Sequence, residues 1–195
     1  MPIEVTSFRR SRLTPEEVAD CDAVRDLVLT VHQRLIAVDD EINRAHVVGA
    51  KSAIIQSIVS RILRQELGFR EEVVITPQDG LVSQARPDFV RGLGPGRRVM
   101  AEVERGGATT NNHDLKDLWK AHVAPDIQHL VLLVPHSNWR TGGGDRERPY
   151  PAVCRRMGAF FGDPRREIDV ASCHVFGYGY RTFADFGPLL PVDNS

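Results

Sequence analysis

Apolar residues recur at helical spacing along the first third of the chain. Thr14-Pro15-Glu16-Glu17 offers a helix start, with Thr as N-cap, Pro at the first helical position and Glu at the third. Val18, Val24, Leu27, Val28, Val31, Leu35 and Ile36 then predict an amphipathic helix running to about His46. Ile54, Ile55, Ile58, Val59, Ile62 and Leu63 form the stripe of a second helix, from Ala50 to Leu67, and Gly68 supplies its stop. The period then shortens. Val73-Val74-Ile75-Thr76 predicts a strand, Arg86 to Val90 a short one and Arg97 to Arg105 a longer one. Gly92-Leu93-Gly94-Pro95-Gly96, between the last two, predicts a turn. A strand rather than a helix follows these glycines, which excludes a dinucleotide-binding loop.

After Gly106-Gly107 and a polar loop from Ala108 to Asn112, a helix is expected from about His113. Leu115, Leu118, Trp119 and His122 share one of its faces, and Trp119 is expected to pack on the sheet. The unbroken apolar run Leu130 to Val134 marks a strand buried on both faces. Ser137 to Pro149, with its three consecutive glycines, reads as a flexible loop, Ala152 to Phe161 as a helix and Ser172 to Tyr178 as a final strand. The order predicts an α/β fold: a mixed sheet flanked by helices over residues 49–195, preceded by a helical extension over residues 1–48.

Composition narrows the picture only slightly. A chain of 195 residues can bury a proper core, and its net charge of −1 excludes a broadly basic nucleic-acid binder. The basic residues are almost all arginine, since Lys51, Lys116 and Lys120 are the lysines. Arginine presents a planar fork suited to phosphate or guanine, though a GC-rich genome gives the same bias. No apolar run reaches the ~20 residues of a membrane span. Met1 to Arg12 lacks the apolar stretch of a secretory leader, so a cytosolic protein is expected. Cys21, Cys154 and Cys173 are widely spaced and unpaired in motif, as reduced thiols are.

The candidate chemistry lies in Met100-Ala101-Glu102-Val103-Glu104. A strand period of two puts both glutamates on one face and Val99, Ala101 and Val103 on the other. Adjacent carboxylates on a strand repel, so packing alone gives little reason to place them there. If the chain turns about Gly94-Pro95, antiparallel pairing brings Asp88 opposite Ala101 or Glu102. Three oxygen donors then meet at one end of the sheet, a set suited to Mg²⁺ or Mn²⁺. The competing reading has Asp88 capping a turn and the glutamates forming a solvated face.

Pro87-Asp88, a turn, Glu102-Val103-Glu104 in an apolar strand, then a helix and a buried strand together resemble the PD-(D/E)xK nuclease superfamily. The resemblance covers roughly Ala50 to Val134 and could extend to Tyr178. It implies a restriction endonuclease-like fold and Mg²⁺-dependent hydrolysis of DNA phosphodiesters. Asp88 and Glu102 would bind the metal, joined by the carbonyl of Val103. Glu104 stands where the family usually has lysine. Some restriction enzymes of the superfamily also carry an acid there, and Glu104 could bind a second metal or orient water. A displaced lysine is the other solution: Lys116 and Lys120, four apart on the following helix, share a face. For the acid that many relatives carry on an earlier helix, Gln56 and Glu66 are the comparable residues, and neither matches well.

Beyond these residues, Asn111, Asn112 and His113 lie in the loop leaving the catalytic strand, where N-capping explains an asparagine equally well, and Trp139, Arg140, Arg146 and Arg148 lie in a later loop; both loops could touch DNA. The function expected is a metal-dependent endonuclease of the restriction or defence kind. The alternatives are a nuclease fold that binds DNA or a partner without cutting, and a metal-dependent hydrolase with another substrate. Double-strand cutting would imply a homodimer, with the N-terminal helix as one candidate interface.

Overall fold

The computed structural model describes residues 3–49, 52–75, 85–141, 144–163, 165 and 168–180. Its centre is a six-stranded mixed sheet in the order β1-β8-β5-β4-β3-β2. These strands are β1 (Glu4–Arg9), β2 (Arg70–Glu71), β3 (Phe89–Gly94), β4 (Arg97–Val103), β5 (His129–Pro135) and β8 (Ser172–Tyr178). β4, β5 and β8 run parallel, while β1, β2 and β3 pair antiparallel with their neighbours. The fold is therefore mixed α/β.

The alternation of each strand divides the core in two. Val99, Ala101, Val131, Leu133 and Phe176 face α1 (Pro15–Ala37), α2 (Asp39–Ala45) and α3 (Ser52–Ser60). Met100, Leu130, Leu132, Val134 and Val175 face α4 (His113–Val123) and α5 (Pro149–Phe161). β5 is buried at every position, as its unbroken apolar run requires. Burying each of its leucines and valines contributes roughly 1.5–3 kcal/mol.

The capping box at the start of α1 is formed: the Glu17 N–H donates to Thr14 Oγ1 at 3.2 Å, and the Thr14 N–H donates to Glu17 Oε2 at 2.7 Å. The helix expected to reach His46 breaks at Val38, where the backbone leaves the helical region (φ −114°, ψ 15°), and α2 restarts at Asp39. The second expected helix is observed as α3, continued by a π-helical stretch over Arg61–Glu66, and Gly68 ends it at φ +70°. Ala50, Lys51 and Thr76 lie outside the described residues.

Several expectations are corrected. Val73 to Ile75 form no strand; the short edge strand lies earlier, at Arg70–Glu71, and Ile75 is tied instead to the Ala85 carbonyl at 3.1 Å. β3 begins at Phe89 and continues through Gly94, so the turn shrinks to Pro95-Gly96. Within Ser137 to Pro149 stand β6 (Asn138–Trp139) and β7 (Asp145–Glu147), a small antiparallel hairpin rather than a loop alone. Trp119 is 61% exposed and does not pack on the sheet; α4 turns Asp114, Asp117, Leu118 and Ala121 inward. The segment 1–48, expected as a helical extension, contributes the edge strand β1, and Val24, Val28, Val31 and Leu35 of α1 belong to the same core as the sheet.

Four histidines are buried in this frame. Burial pushes His46, His129, His136 and His174 down to about 4. His46 Nε2 donates to the Ser137 carbonyl at 2.9 Å, which fixes that nitrogen as the N–H. Below pH ~6.5 the unfolded chain takes up protons on these rings and the folded chain does not, so their contribution is lost as pH falls towards 4. His46→Gln is expected to be less stable than wild type at pH 7 by about 1–3 kcal/mol. That deficit should narrow by roughly 1 kcal/mol or more at pH 4.5, measured by urea unfolding; a constant deficit would refute the neutral buried ring.

Candidate metal-binding and catalytic site

The β3–β4 pairing sets the site. Phe89 lies opposite Ala101, which brings Asp88, one residue earlier, opposite Glu102. The Asp88 N–H donates to Glu102 Oε2 at 3.1 Å, and the Val103 N–H donates to Asp88 Oδ2 at 2.9 Å. Two carboxylates are thus locked together across the hairpin by backbone donors, where sequence geometry expected them. Val103 takes part through its N–H.

Lys120 enters from α4. Its Nζ donates to Glu102 Oε1 at 2.5 Å and to Asp117 Oδ1 at 2.7 Å. Lys116, one turn earlier, is exposed and is not among the residues lining the site. From the opposite side of the sheet Gln56 of α3 donates to Asp88 Oδ1 at 3.0 Å. Glu66, the other residue weighed for that place, pairs with Arg34 at 2.9 Å and takes no part. Glu104 follows the end of β4 and turns to His113, whose Nδ1 lies 2.9 Å from Glu104 Oε2. Asp88, Glu102, Glu104, His113, Asp117 and Lys120 all line one cavity of about 450 Å³.

The loop between β4 and α4 is shaped to place His113. Gly107 has φ +84°, and a Cβ there would meet Asn111 Nδ2 at 2.8 Å and His113 Cε1 at 3.0 Å. Only glycine fits beneath that ring. Asn112 takes the N-cap position of α4 in the left-handed region, φ 55°, without a side-chain capping bond.

The electrostatics are those of crowded acids. Burial raises the Asp88 and Glu104 carboxyls, opposed by the Val103 N–H and by His113 respectively. Burial also lifts Glu102 to about 7, reinforced by Asp117 and opposed by Lys120. Asp117 rises for the same reason, again against Lys120. Burial works against the Lys120 charge, but Asp117 and Glu102 outweigh it and hold the ammonium well above its ordinary pKa.

Whether these residues suit a divalent ion turns on the donor set. Oxygen donors crowd one cavity, and Asp117 Oδ2 is buried with no hydrogen-bond partner among the described residues. Both features suit a hard cation. Among the described residues, however, no three of His, Cys, Asp and Glu already converge as a ligand set. Asp88 and Glu102 point their oxygens at Gln56, Lys120 and backbone N–H groups, and Glu104 at His113. Binding an ion would require Lys120 or Gln56 to yield an oxygen.

Sequence reasoning missed Asp117 and set Gln56 aside. Asp117 had a signal, since it stands three residues before Lys120 on the inner face of an amphipathic helix. Gln56 had only its place on the helix before the sheet, because its contact depends on how α3 crosses the sheet. No protein-family model matches the chain, and no curated protein matches it in sequence.

The raised Glu102 pKa has a definite sign. Its stabilising contribution is present below the unfolded value of ~4.3 and is lost as pH rises through about 7. In chelator at pH 8, Glu102→Gln is therefore expected to melt no lower than wild type, and its relative gain should fade towards pH 4. Millimolar Mg²⁺ or Mn²⁺ should raise the wild-type Tm by mass action and raise that of the variant less. A wild-type Tm indifferent to both ions would remove the metal site.

Proposed function

We propose that the chain is an Mg²⁺- or Mn²⁺-dependent DNA endonuclease of the restriction or defence kind, with a restriction endonuclease-like core. The observation that carries this reading is the pairing of Asp88 with Glu102 across the β3–β4 hairpin, at a cavity that Lys120 enters from α4. Asp88 and Glu102 would hold the ion, with the Val103 carbonyl and Glu104 as further donors. When bound, the ion would neutralise the scissile phosphate and make a nucleophile of water at neutral pH.

The remaining groups have their own tasks. Lys120, kept charged by Asp117 and Glu102, supplies the cation that the family motif places on the strand. It is restrained by two carboxylates, so little side-chain freedom is lost when it meets a phosphate oxygen. Glu104 and His113 form a hydrogen-bonded pair at the same cavity, suited to orienting a water molecule. Gln56 holds the Asp88 carboxylate in place.

A second reading, a nuclease fold that binds DNA without cutting it, is favoured by one observation. The Asp88 and Glu102 oxygens are each engaged by protein donors, and Glu104 replaces the motif lysine. Plasmid DNA incubated with and without Mg²⁺ separates the two. For a double-strand cutter, paired sites imply a two-fold dimer, and Leu29 and Ile36 are exposed on α1 at 52% and 44%.

Asp88→Asn and Glu102→Gln are expected to lower cleavage at least a hundredfold while DNA binding in Ca²⁺ persists. Lys120→Met should be comparably severe, and Lys116→Ala mild. Near wild-type turnover in folded Asp88→Asn or Glu102→Gln would sink the assignment.

A further inference from the structure

The β6–β7 hairpin builds a second cavity beside the catalytic one. It measures about 230 Å³, and its walls include the Val47–Gly49 turn, Trp139, Arg146 and Glu147. Arg105 and Gly106 line both cavities, so the two adjoin along the backbone that leaves β4.

Specific bonds fix the hairpin against that backbone. Asn138 Nδ2 donates to the Arg105 carbonyl at 2.6 Å and to Glu147 Oε1 at 2.9 Å. Thr109 Oγ1 donates to Glu147 Oε2 at 2.9 Å. On the facing wall Arg105 Nη2 donates to the Val47 carbonyl at 2.6 Å. Trp139 is buried against His46 with ring centroids 4.7 Å apart, and His46 in turn meets Tyr178 edge-on at 5.4 Å. The Tyr178 hydroxyl donates to the Glu104 carbonyl at 2.8 Å. The hairpin is therefore held in register with the end of the catalytic strand.

Charge gives this cavity its preference. The whole chain is at −1, yet Arg105 and Arg146 share these walls, Arg140 stands exposed within the hairpin and Arg148 exposed just after it. Arg146 is exposed and makes no ion pair with any described residue. Glu147, the acid in the wall, has one oxygen taken by Thr109 and the other by Asn138. An exposed guanidinium beside a polar cavity, next to a phosphodiester-cutting site, suits a phosphate.

We propose that this second cavity receives the sugar-phosphate next to the scissile phosphate of a DNA duplex, with Arg146 on that phosphate. The hairpin would thereby add to the affinity for the strand that crosses Asp88 and Glu102. This assignment rests on the nuclease reading for the scissile phosphate, but its test does not require cutting. A short fluorescent DNA duplex is titrated in Ca²⁺ over a salt series and followed by anisotropy. Losing one phosphate contact should lower the salt slope by about 0.9, and the affinity roughly eightfold at 0.1 M salt. Arg146→Ala is expected to show that loss and Arg146→Glu a larger one, while Arg25→Ala, a matched charge removal on α1, leaves the slope unchanged. In Mg²⁺, Arg146→Ala should raise KM for the duplex and leave kcat within about twofold. If the wild type cuts and both Arg146 variants keep its slope and KM, the second cavity is not a phosphate site and the nuclease reading survives. If the wild type binds through Arg146 yet never cuts, the cavity assignment stands as a DNA contact and the nuclease reading falls. A wild type that neither binds nor cuts the duplex overturns both.

Discussion

The register between β3 and β4 is the constraint on which the site depends. Because side chains alternate along a strand, a slip of one residue would turn Glu102 towards α1–α3 and leave Asp88 facing an apolar residue. The register is held from both faces. Val99 and Ala101 are committed to one half of the core, Met100 to the other, and parallel pairing sets Glu102 beside Leu132 of the fully buried β5. The packing that fixes the register is also what desolvates Glu102. The same leucines and valines thus position the carboxylate and raise its pKa.

Such a cluster is poor design for stability alone. Asp88, Glu102, Glu104 and Asp117 share one cavity with a single ammonium, which Glu102 and Asp117 touch, and the remaining compensation comes from Gln56, His113 and backbone N–H groups. Well-packed apolar residues of similar volume would often be as stable or more so. Acids kept in a cavity against that cost point to a task for their charge. The place of Lys120 bears on what the task is. In the resembling family the cation stands two residues after the second acid; here Glu104 occupies that position and a helix returns a lysine to the same cavity. Asp117, three residues earlier on α4, restrains it. On the nuclease reading proposed above, Lys120 would supply that charge from a different element.

What could be read from the sequence divides along the range of the interactions. The Thr14–Glu17 capping box, the buried β5 run and the Asp88–Glu102 juxtaposition were legible, because each follows from local spacing or from one hairpin. β1 was not: its six residues alternate only weakly between half-buried and exposed, as suits an edge strand. Val73 to Ile75 had strand composition, yet Ile75 is buried without a ladder, so packing overrode propensity there. Trp119 lies exposed although it belongs to the apolar stripe, because α4 turns Asp114 and Asp117 inward, whose partners Arg156 and Lys120 come from α5 and from its own next turn. Acidic residues on an inner face look like a polar face until those partners are known.

Both cavities lie where the parallel strands end, and this explains why they adjoin. β4, β5 and β8 run in the same direction, so their carboxyl ends deliver Glu104, His136-Ser137 and Tyr178 to one edge. Sheets of this kind bind ligands in the crevice beyond those ends, because the chain must leave each strand there in a loop free to vary. In this protein the loops are tied to one another. The Tyr178 hydroxyl caps the Glu104 carbonyl, His46 bonds the Ser137 carbonyl, and Asn138 bonds the Arg105 carbonyl. Each bond satisfies a main-chain acceptor that no neighbouring strand reaches, and each also fixes the distance between the carboxylate pair and the hairpin. Satisfying the polar ends of two strands and setting the spacing of two cavities are therefore one structural solution, and a change at His46 or Asn138 would disturb both together.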